Sequence, residues 1–456
     1  MSHHLPLSLL QALEPVEGFD KASFEAVHAS GDRVTSVRIN PGKPVSDPQL
    51  SFTENIEANV PWCVHGRYLK ERPAFTFDPL LHGGAYYVQE ASSMFLWHAL
   101  EHGVDPLNKS LRVLDLCAAP GGKTTLLASF FSEGLVVSND VIRSRSQILV
   151  ENVSKWGSAN VVVTNNDPQQ FAQLEHFFDV IVVDAPCSGS GLFRKDAAAI
   201  DEWSEANVLL CSKRQQRIIA DVYAALKPGG LLIYSTCSYS VEEDEEIASW
   251  ICDNCDASAI RLPLQAEWGI VETCSRNDIY GYRFFPGKVK GEGFFISAFR
   301  KQEQPTRALR LPALAAASNS ETALLDEWIN AKEDYFFFNQ AGQVIAVPKA
   351  WQQDIALLQK KLYLRKAGVS IGAAKGKSFV PHHELALSFL ASRAIPFIEL
   401  AKEAAVKYLQ KKDFEFETTT TGWALVKHKG INIGWVKVLH NRVNNYYPTE
   451  WRILKD

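Results

Sequence analysis

Two of the eight cysteines stand in settings suited to chemistry: Cys187 in DAPCSG (184–189) and Cys237 in STCS (235–238). A thiolate is the side chain that adds readily to an electron-poor ring carbon. Methylation of a pyrimidine at carbon 5 requires such an addition, because that carbon is a poor nucleophile until a thiolate on carbon 6 makes it enamine-like. The carbon 5 proton must afterwards leave and the thiolate must be expelled, which gives a second thiol work as a base or release aid. Chemistry alone leaves the two thiols interchangeable. Asp184 can donate to, or stabilise charge at, ring nitrogen 3 during addition. Lys123, or the field of a helix N-terminus, can lower the pKa of a nearby thiol. The full cysteine set (63, 117, 187, 211, 237, 252, 255 and 274) follows no disulfide-scaffold spacing and suits a reducing compartment. Cys252 and Cys255 form a CxxC without a partner CxxC and read as a buried structural pair, so no metal site is expected. Cys63, Cys211 and Cys274 read as small buried hydrophobes.

A donor group must sit beside such thiols. DLCAAPGGKTT (115–125) follows a β-branched run and opens a helical pattern. Its small residues let the backbone approach a ligand, and the helix N-terminus offers unpaired N–H groups. A phosphate-binding GxxxxGK[ST] loop would need Gly where the chain has Cys117. The next run ends in Asp140, 25 residues after Asp115, where a carboxylate can take both ribose hydroxyls. The third is followed by Asn166 and Asp167, placed to receive an adenine amino group. With AAPGG in place of GxGxxG, the pattern favours S-adenosylmethionine over NAD. Many amino-methylating enzymes have a DPPY-like stretch where this chain has DAPC.

The elements that position these residues are short apolar runs alternating with helical patterns. The runs are LRVLDL (111–116), GLVVSND (134–140), ANVVVT (159–164), FDVIVVD (178–184) and GGLLIYS (229–235). Helical periods cover 122–131, 144–156 and 205–226. This alternation predicts an α/β fold with a parallel sheet covered on both faces, closed by an antiparallel hairpin made of YGYRFFP and GEGFFISAFR. Both thiols then leave the carboxyl ends of strands that neighbour the cofactor strand, where ligands bind in open α/β sheets. A Rossmann-like domain ends near residue 301, and residues 302–320, rich in Ala, Pro and Ser, read as a linker. Residues 1–100 read as a less regular region with a helical start and one strand, RVTSVRIN (33–40). The tail (422–454), with short strands broken by Gly and Asn, reads as a small β-barrel.

At 456 residues the chain needs two or three domains, and 46% apolar with 22% charged residues is an ordinary globular composition. No apolar run reaches about 18 residues and the N-terminus lacks a secretory pattern, so a soluble, cytoplasmic protein is expected. The net charge of −5 hides an asymmetry: residues 301–456 carry 22 Lys+Arg against 15 Asp+Glu. A polyanion partner would be gripped there.

Together DLCAAPGGKTT, ND (139–140), DAPCSGSGLFRKD (184–196) and YSTCSYSVEEDE (234–245), with SVRIN (36–40) and GGAYYVQEASSM (83–94), resemble the Nol/Nop/Sun family of RNA cytosine-5 methyltransferases. The resemblance implies a class I methyltransferase domain. It makes Cys237 the nucleophile and Cys187 the release aid, and it implies cofactor contacts at Cys117, Ala118, Ala119, Pro120, Gly121, Gly122, Lys123, Asp140, Asp167 and Asp184. Gln89 and Ser92 either shape the pocket or cap a helix. PHHELALS, GWALVKHKG, IGWVK and NNYYPTEWR are similar to the end of the bacterial 16S ribosomal RNA methyltransferase F group, which implies a PUA-like RNA-binding barrel. Lys427, Lys429, Lys437 and Arg442 interleave there with Trp423, Trp435, Tyr446, Tyr447 and Trp451, as in phosphate contact and base stacking, or as barrel packing.

The domains expected are an N-terminal RNA-binding and pocket-completing region (1–100), the methyltransferase domain (101–301), the linker, a connecting α/β module (321–380) and the PUA-like domain (381–456). The expected activity is S-adenosylmethionine-dependent methylation of cytosine carbon 5 in small-subunit ribosomal RNA, free or within the assembled subunit, by a monomer. A transfer-RNA methyltransferase and a non-catalytic ribosome assembly factor are the alternatives.

Overall fold

The computed structural model describes residues 5–455 other than 106, 276–277, 306–309, 377, 417, 419–420 and 441. Part of the expected helical start (1–4) and of the expected linker (306–309) thus lies outside the described residues.

The sheet that positions the site contains β1 (Arg112–Asp115), β2 (Leu135–Asn139), β3 (Val161–Thr164), β4 (Phe178–Asp184), β5 (Leu226–Thr236), β6 (Val271–Ser275), β7 (Ile279–Phe284), β8 (Phe294–Lys301) and β9 (Leu364–Ala367). Their order is β6-β7-β8-β5-β4-β1-β2-β3-β9, and Ala257–Ala259 adds a short strand on β8. The middle of the sheet, β5-β4-β1-β2-β3, is parallel. The hairpin β7–β8 closes it antiparallel to β5, as the sequence predicts. Successive strand residues point to opposite faces: Val113, Val180, Val182 and Ile233 enter one core, Leu114, Ile181, Val183 and Leu232 the other. Burial on both sides is why these strands read as unbroken apolar runs. Each such side chain contributes about 1.5–3 kcal/mol.

Helices α1 (Gly122–Phe130) and α2 (Arg143–Trp156) follow β1 and β2. Gly121 precedes α1 at φ +116° and Gly157 follows α2 at φ +91°, left-handed positions that favour glycine. Strand order reverses between β1 and β4, which opens a crevice at their carboxyl ends.

Upstream, residues 35–39, 56–59, 66–69 and 86–88 form a four-stranded antiparallel sheet, more regular than the sequence suggests. Downstream, residues 335–340, 343–348, 369–375 and 378–381 build a third sheet, while β9 leaves this segment and pairs with β3. The tail forms a four-stranded mixed sheet in which 397–399 runs parallel to 422–428. Glu384, in the PHHELALS segment, accepts from Ser154 of α2, from Lys366 of β9 and from the Ser370 N–H, tying tail to sheet. No helix among the described residues is long and apolar enough to cross a membrane.

Candidate active site

The parallel register of β4 and β5 sets Asp184 opposite Ser235. Each chain then runs past the sheet edge into its cysteine loop. The Cys187 and Cys237 Sγ atoms meet at 3.2 Å. Both are half-buried. The hydrogen bond to Cys237, then burial and the charge of Cys237, push the Cys187 thiol well above the usual range. Cys187 is thereby held in its protonated form.

One carboxylate holds both loops. Glu243, fully buried, accepts at Oε1 from the Ser188 N–H (2.8 Å) and Gln215 Nε2 (3.1 Å), and at Oε2 from the Ser188 and Ser238 hydroxyls. The residues directly after the two cysteines thus share one acceptor. Burial raises the Glu243 pKa and these hydrogen bonds pull it back. Gly191 lies so close to the Cys237 loop that a Cβ there would stand 2.5 Å from the Cys237 carbonyl. The sequence reading missed Glu243, which stands seven residues past the end of β5 in the acidic run 242–246, where residue type alone does not mark the one acid that bridges the loops.

Asp184 stands beside the thiols with both oxygens occupied: Ser235 Oγ donates to Oδ1 at 2.8 Å and Lys123 Nζ lies 2.8 Å from Oδ2. The Lys123 ammonium is therefore directed at Asp184 rather than at a thiol, contrary to the expectation that it lowers a cysteine pKa. Fixed between two donors, Asp184 is an acceptor.

The loop 115–122 lies at the crevice. Thr124 Oγ1 donates to Asp115 Oδ2 (2.7 Å), while Asp115 Oδ1 is buried without a partner. Burial pushes this carboxyl up to about 7. Burial likewise raises the Cys117 thiol, which is no nucleophile here. The Ala118 N–H donates to the Asn139 carbonyl, and Arg145 and Asn152 of α2 hold the carbonyls of Ala119 and Pro120. With Gly121 and Gly122 the loop offers backbone and almost no side-chain bulk. Asn139 braces three strand ends, bonding Leu116, Thr164 and Asn166. Asp140 is 2% exposed; it accepts from the Ile142 N–H and pairs with Arg145 at 3.5 Å. Asp167 is exposed and uses one oxygen to cap the following 3-10 turn. Asn166 is buried, bonded to Tyr363 through both ends of its amide.

Gln89 accepts from Arg38 Nε, and Arg38, fully buried, reaches Thr125 and the Gly122 carbonyl, so both support the first turn of α1. Ser92 is bonded to the Glu292 carbonyl, a packing role. Cys63 and Cys211 are buried as expected, whereas Cys274 is exposed because the β6 edge leaves it uncovered. In the tail, Trp435 and Tyr447 are core residues; Trp423 and Trp451 are half-buried and Tyr446 is exposed.

Comparison with known proteins matches this architecture. The family model for 16S rRNA methyltransferase RsmB/F covers residues 103–300, that for the N-terminal domain of 16S rRNA methyltransferase RsmF covers 5–91, and that for the methyltransferase RsmF PUA domain covers 396–453. The ribosomal RNA small subunit methyltransferase F of Psychromonas ingrahamii is 31% identical over 423 residues, 86% of this chain and 84% of its own. A methyltransferase homolog from Pyrococcus horikoshii superimposes with TM-score 0.51 at 28% identity, over 65% of this chain and 100% of that one. NSun6 from Pyrococcus horikoshii, solved with SFG, shares the fold at 17% identity (TM-score 0.55, 67% and 100% covered). With its thiol pair, its crevice and its flanking modules in this arrangement, the chain belongs to the ribosomal RNA small subunit methyltransferase F family.

Proposed function

We propose that the protein methylates carbon 5 of a cytidine in 16S ribosomal RNA through a covalent adduct on Cys237. The observation that carries this reading is the 3.2 Å approach of Cys237 to a second, protonated thiol beside Asp184. Enzymes that methylate an amine need no such pair, since the substrate nitrogen is itself the nucleophile.

S-adenosylmethionine, when bound, supplies an electrophilic methyl group. The residues present fit it: the orphaned Asp115 Oδ1, the side-chain-poor stretch Cys117–Lys123 and the buried Asp140 line the crevice at the strand switch. The fold shared with NSun6, solved with SFG, supports the same donor. We assign Cys117, Ala118, Ala119, Pro120, Gly121, Gly122, Lys123, Asp140, Asp167 and Asp184 to its pocket and the pocket's rim.

In the reaction the Cys237 thiolate bonds to cytosine carbon 6, and the electron pair displaced to carbon 5 takes the methyl group. Asp184, held by Lys123 and Ser235, accepts a hydrogen bond from the base edge and orients it. Once Cys237 is tied up in a carbon–sulfur bond it no longer carries charge, and the main cause of the raised Cys187 pKa is gone. Cys187 can then release its own proton to solvent and, as thiolate, take the carbon 5 proton. The carbon–hydrogen electrons restore the ring double bond and expel Cys237 as thiolate. The base must be unstacked to reach the thiol.

Bisulfite sequencing of ribosomal and transfer RNA from cells with and without the gene tests the reading. Loss of one small-subunit cytosine signal is expected. Loss confined to transfer RNA would keep the chemistry and replace the substrate; no change in either would overturn the activity.

A further inference from the structure

A groove of about 1030 Å³ opens where three segments distant in sequence meet: 41–44, 388–393 and 425–432, with Asn330 at the rim. Its fifteen lining residues include Lys43, Arg393 and Lys427 and no Asp or Glu, although acids outnumber bases in the whole chain, 52 to 47. Arg393 is exposed, and neither it nor Lys427 has a carboxylate partner among the described residues. Lys43 is buried and bonded to the Leu387 carbonyl, and burial lowers its pKa to about 7. An anion entering the groove favours the charged form of Lys43.

Two aromatic rings stand beside these cations, Phe389 in the groove lining and Phe397 next to Lys427 just outside it. Phe389 is 41% and Phe397 is 53% exposed, unusual for phenylalanine. Lys43 Nζ lies 5.4 Å from the Phe389 ring centroid and Lys427 Nζ 4.1 Å from that of Phe397. Cations paired with open rings are the composition of a single-stranded nucleic acid track, in which phosphates meet Lys and Arg and bases stack on aromatics. An acidic peptide would use the cations but give the rings nothing planar to stack on.

The groove cannot be the methyl-transfer site. None of its lining residues belongs to the two thiol loops or to the 115–125 loop, and Phe389 N–H donates to the carbonyl of Gly157, which ends α2. Resting on the ribosomal RNA substrate read above, we propose that this groove binds a single-stranded segment of the substrate flanking the target, phosphates on Arg393 and Lys427 and bases on Phe389 and Phe397. The N-terminal module, through Lys43, and the tail thereby share one RNA contact.

The test uses the full-length protein, a fluorescein-labelled 20-nucleotide single-stranded RNA and anisotropy across a salt series. Arg393→Ala with Lys427→Ala should flatten the slope of log K against log salt by about 1.4, at about 0.7 per phosphate contact on a single strand. Kd at low salt should rise at least tenfold. Phe389→Ala with Phe397→Ala should raise Kd about tenfold or more while leaving the slope unchanged. S-adenosylmethionine affinity, read by calorimetry, should stay within twofold in both. Arg393→Ala alone, at an exposed position, should lower the slope by about 0.7 and keeps the test decisive should a double variant fold poorly. If the wild type methylates 16S RNA and these variants keep its Kd and slope, the groove assignment is overturned and the proposed function stands. If the wild type methylates no RNA, the proposed function itself fails.

Discussion

The Cys187 Sγ lies 3.2 Å from the Cys237 Sγ across fifty residues of sequence, and that contact together with burial pushes the Cys187 thiol well above the usual range. That shift supplies a physical basis for distinct roles that the residue types alone leave open. The two thiols meet because β4 and β5 are adjacent and parallel, with Asp184 opposite Ser235, so that both loops leave the sheet side by side.

Replacing the nucleophile separates chemistry from binding. Cys237→Ala should abolish methyl transfer to 16S RNA, a loss of at least about 10³-fold, while S-adenosylmethionine affinity, read by calorimetry, changes less than threefold. Near wild-type turnover would refute the assignment of Cys237.

Glu243 should matter to both stability and rate. Glu243→Ala leaves Ser188, Ser238 and Gln215 without their shared acceptor and should cost about 2–4 kcal/mol, read from urea unfolding. In the fraction that remains folded, kcat should fall with little change in cofactor affinity, because the two thiol loops are no longer held together. Glu243→Gln should recover part of the stability, since its amide oxygen still accepts.

Asp115 makes stability depend on pH. Its folded pKa of about 7 lies above the ordinary 3.8, so the protonated carboxyl favours the fold. That contribution is complete below about pH 4 and is lost as pH rises through 7. Asp115→Asn cannot ionise. Unfolding free energies at pH 5 and pH 7.5 should show wild type losing roughly 2–4 kcal/mol relative to the variant over that interval.

Much of this was legible in the sequence, for reasons particular to each element. Runs such as FDVIVVD are buried on both faces, so apolar continuity marks β4 directly, and the hairpin β7–β8 is short-range. The strand β9 was not legible: it sits at an edge, is interrupted by Arg365 and Lys366, and pairs with β3 about 200 residues upstream. The thiols and the cofactor loop stood out by residue type and spacing. Lys123 and Glu243 did not reveal their partners, because a salt bridge or shared acceptor depends on which loops the fold brings together. Asp167, read from the sequence as a cofactor ligand, also caps the following turn through its bond to the Gln169 N–H, a partner that residue type alone does not reveal.

The central claim is that a cytosine is attacked by Cys237 and released with the help of Cys187. The most direct test incubates Cys187→Ala protein with 16S RNA and radiolabelled S-adenosylmethionine, followed by a denaturing gel and peptide mapping. We predict a slow-migrating protein–RNA species, carrying the label and mapping to Cys237, that wild type does not accumulate. Free methylated RNA at the wild-type rate with no trapped species would contradict the account, as would a label on the exocyclic nitrogen instead of carbon 5.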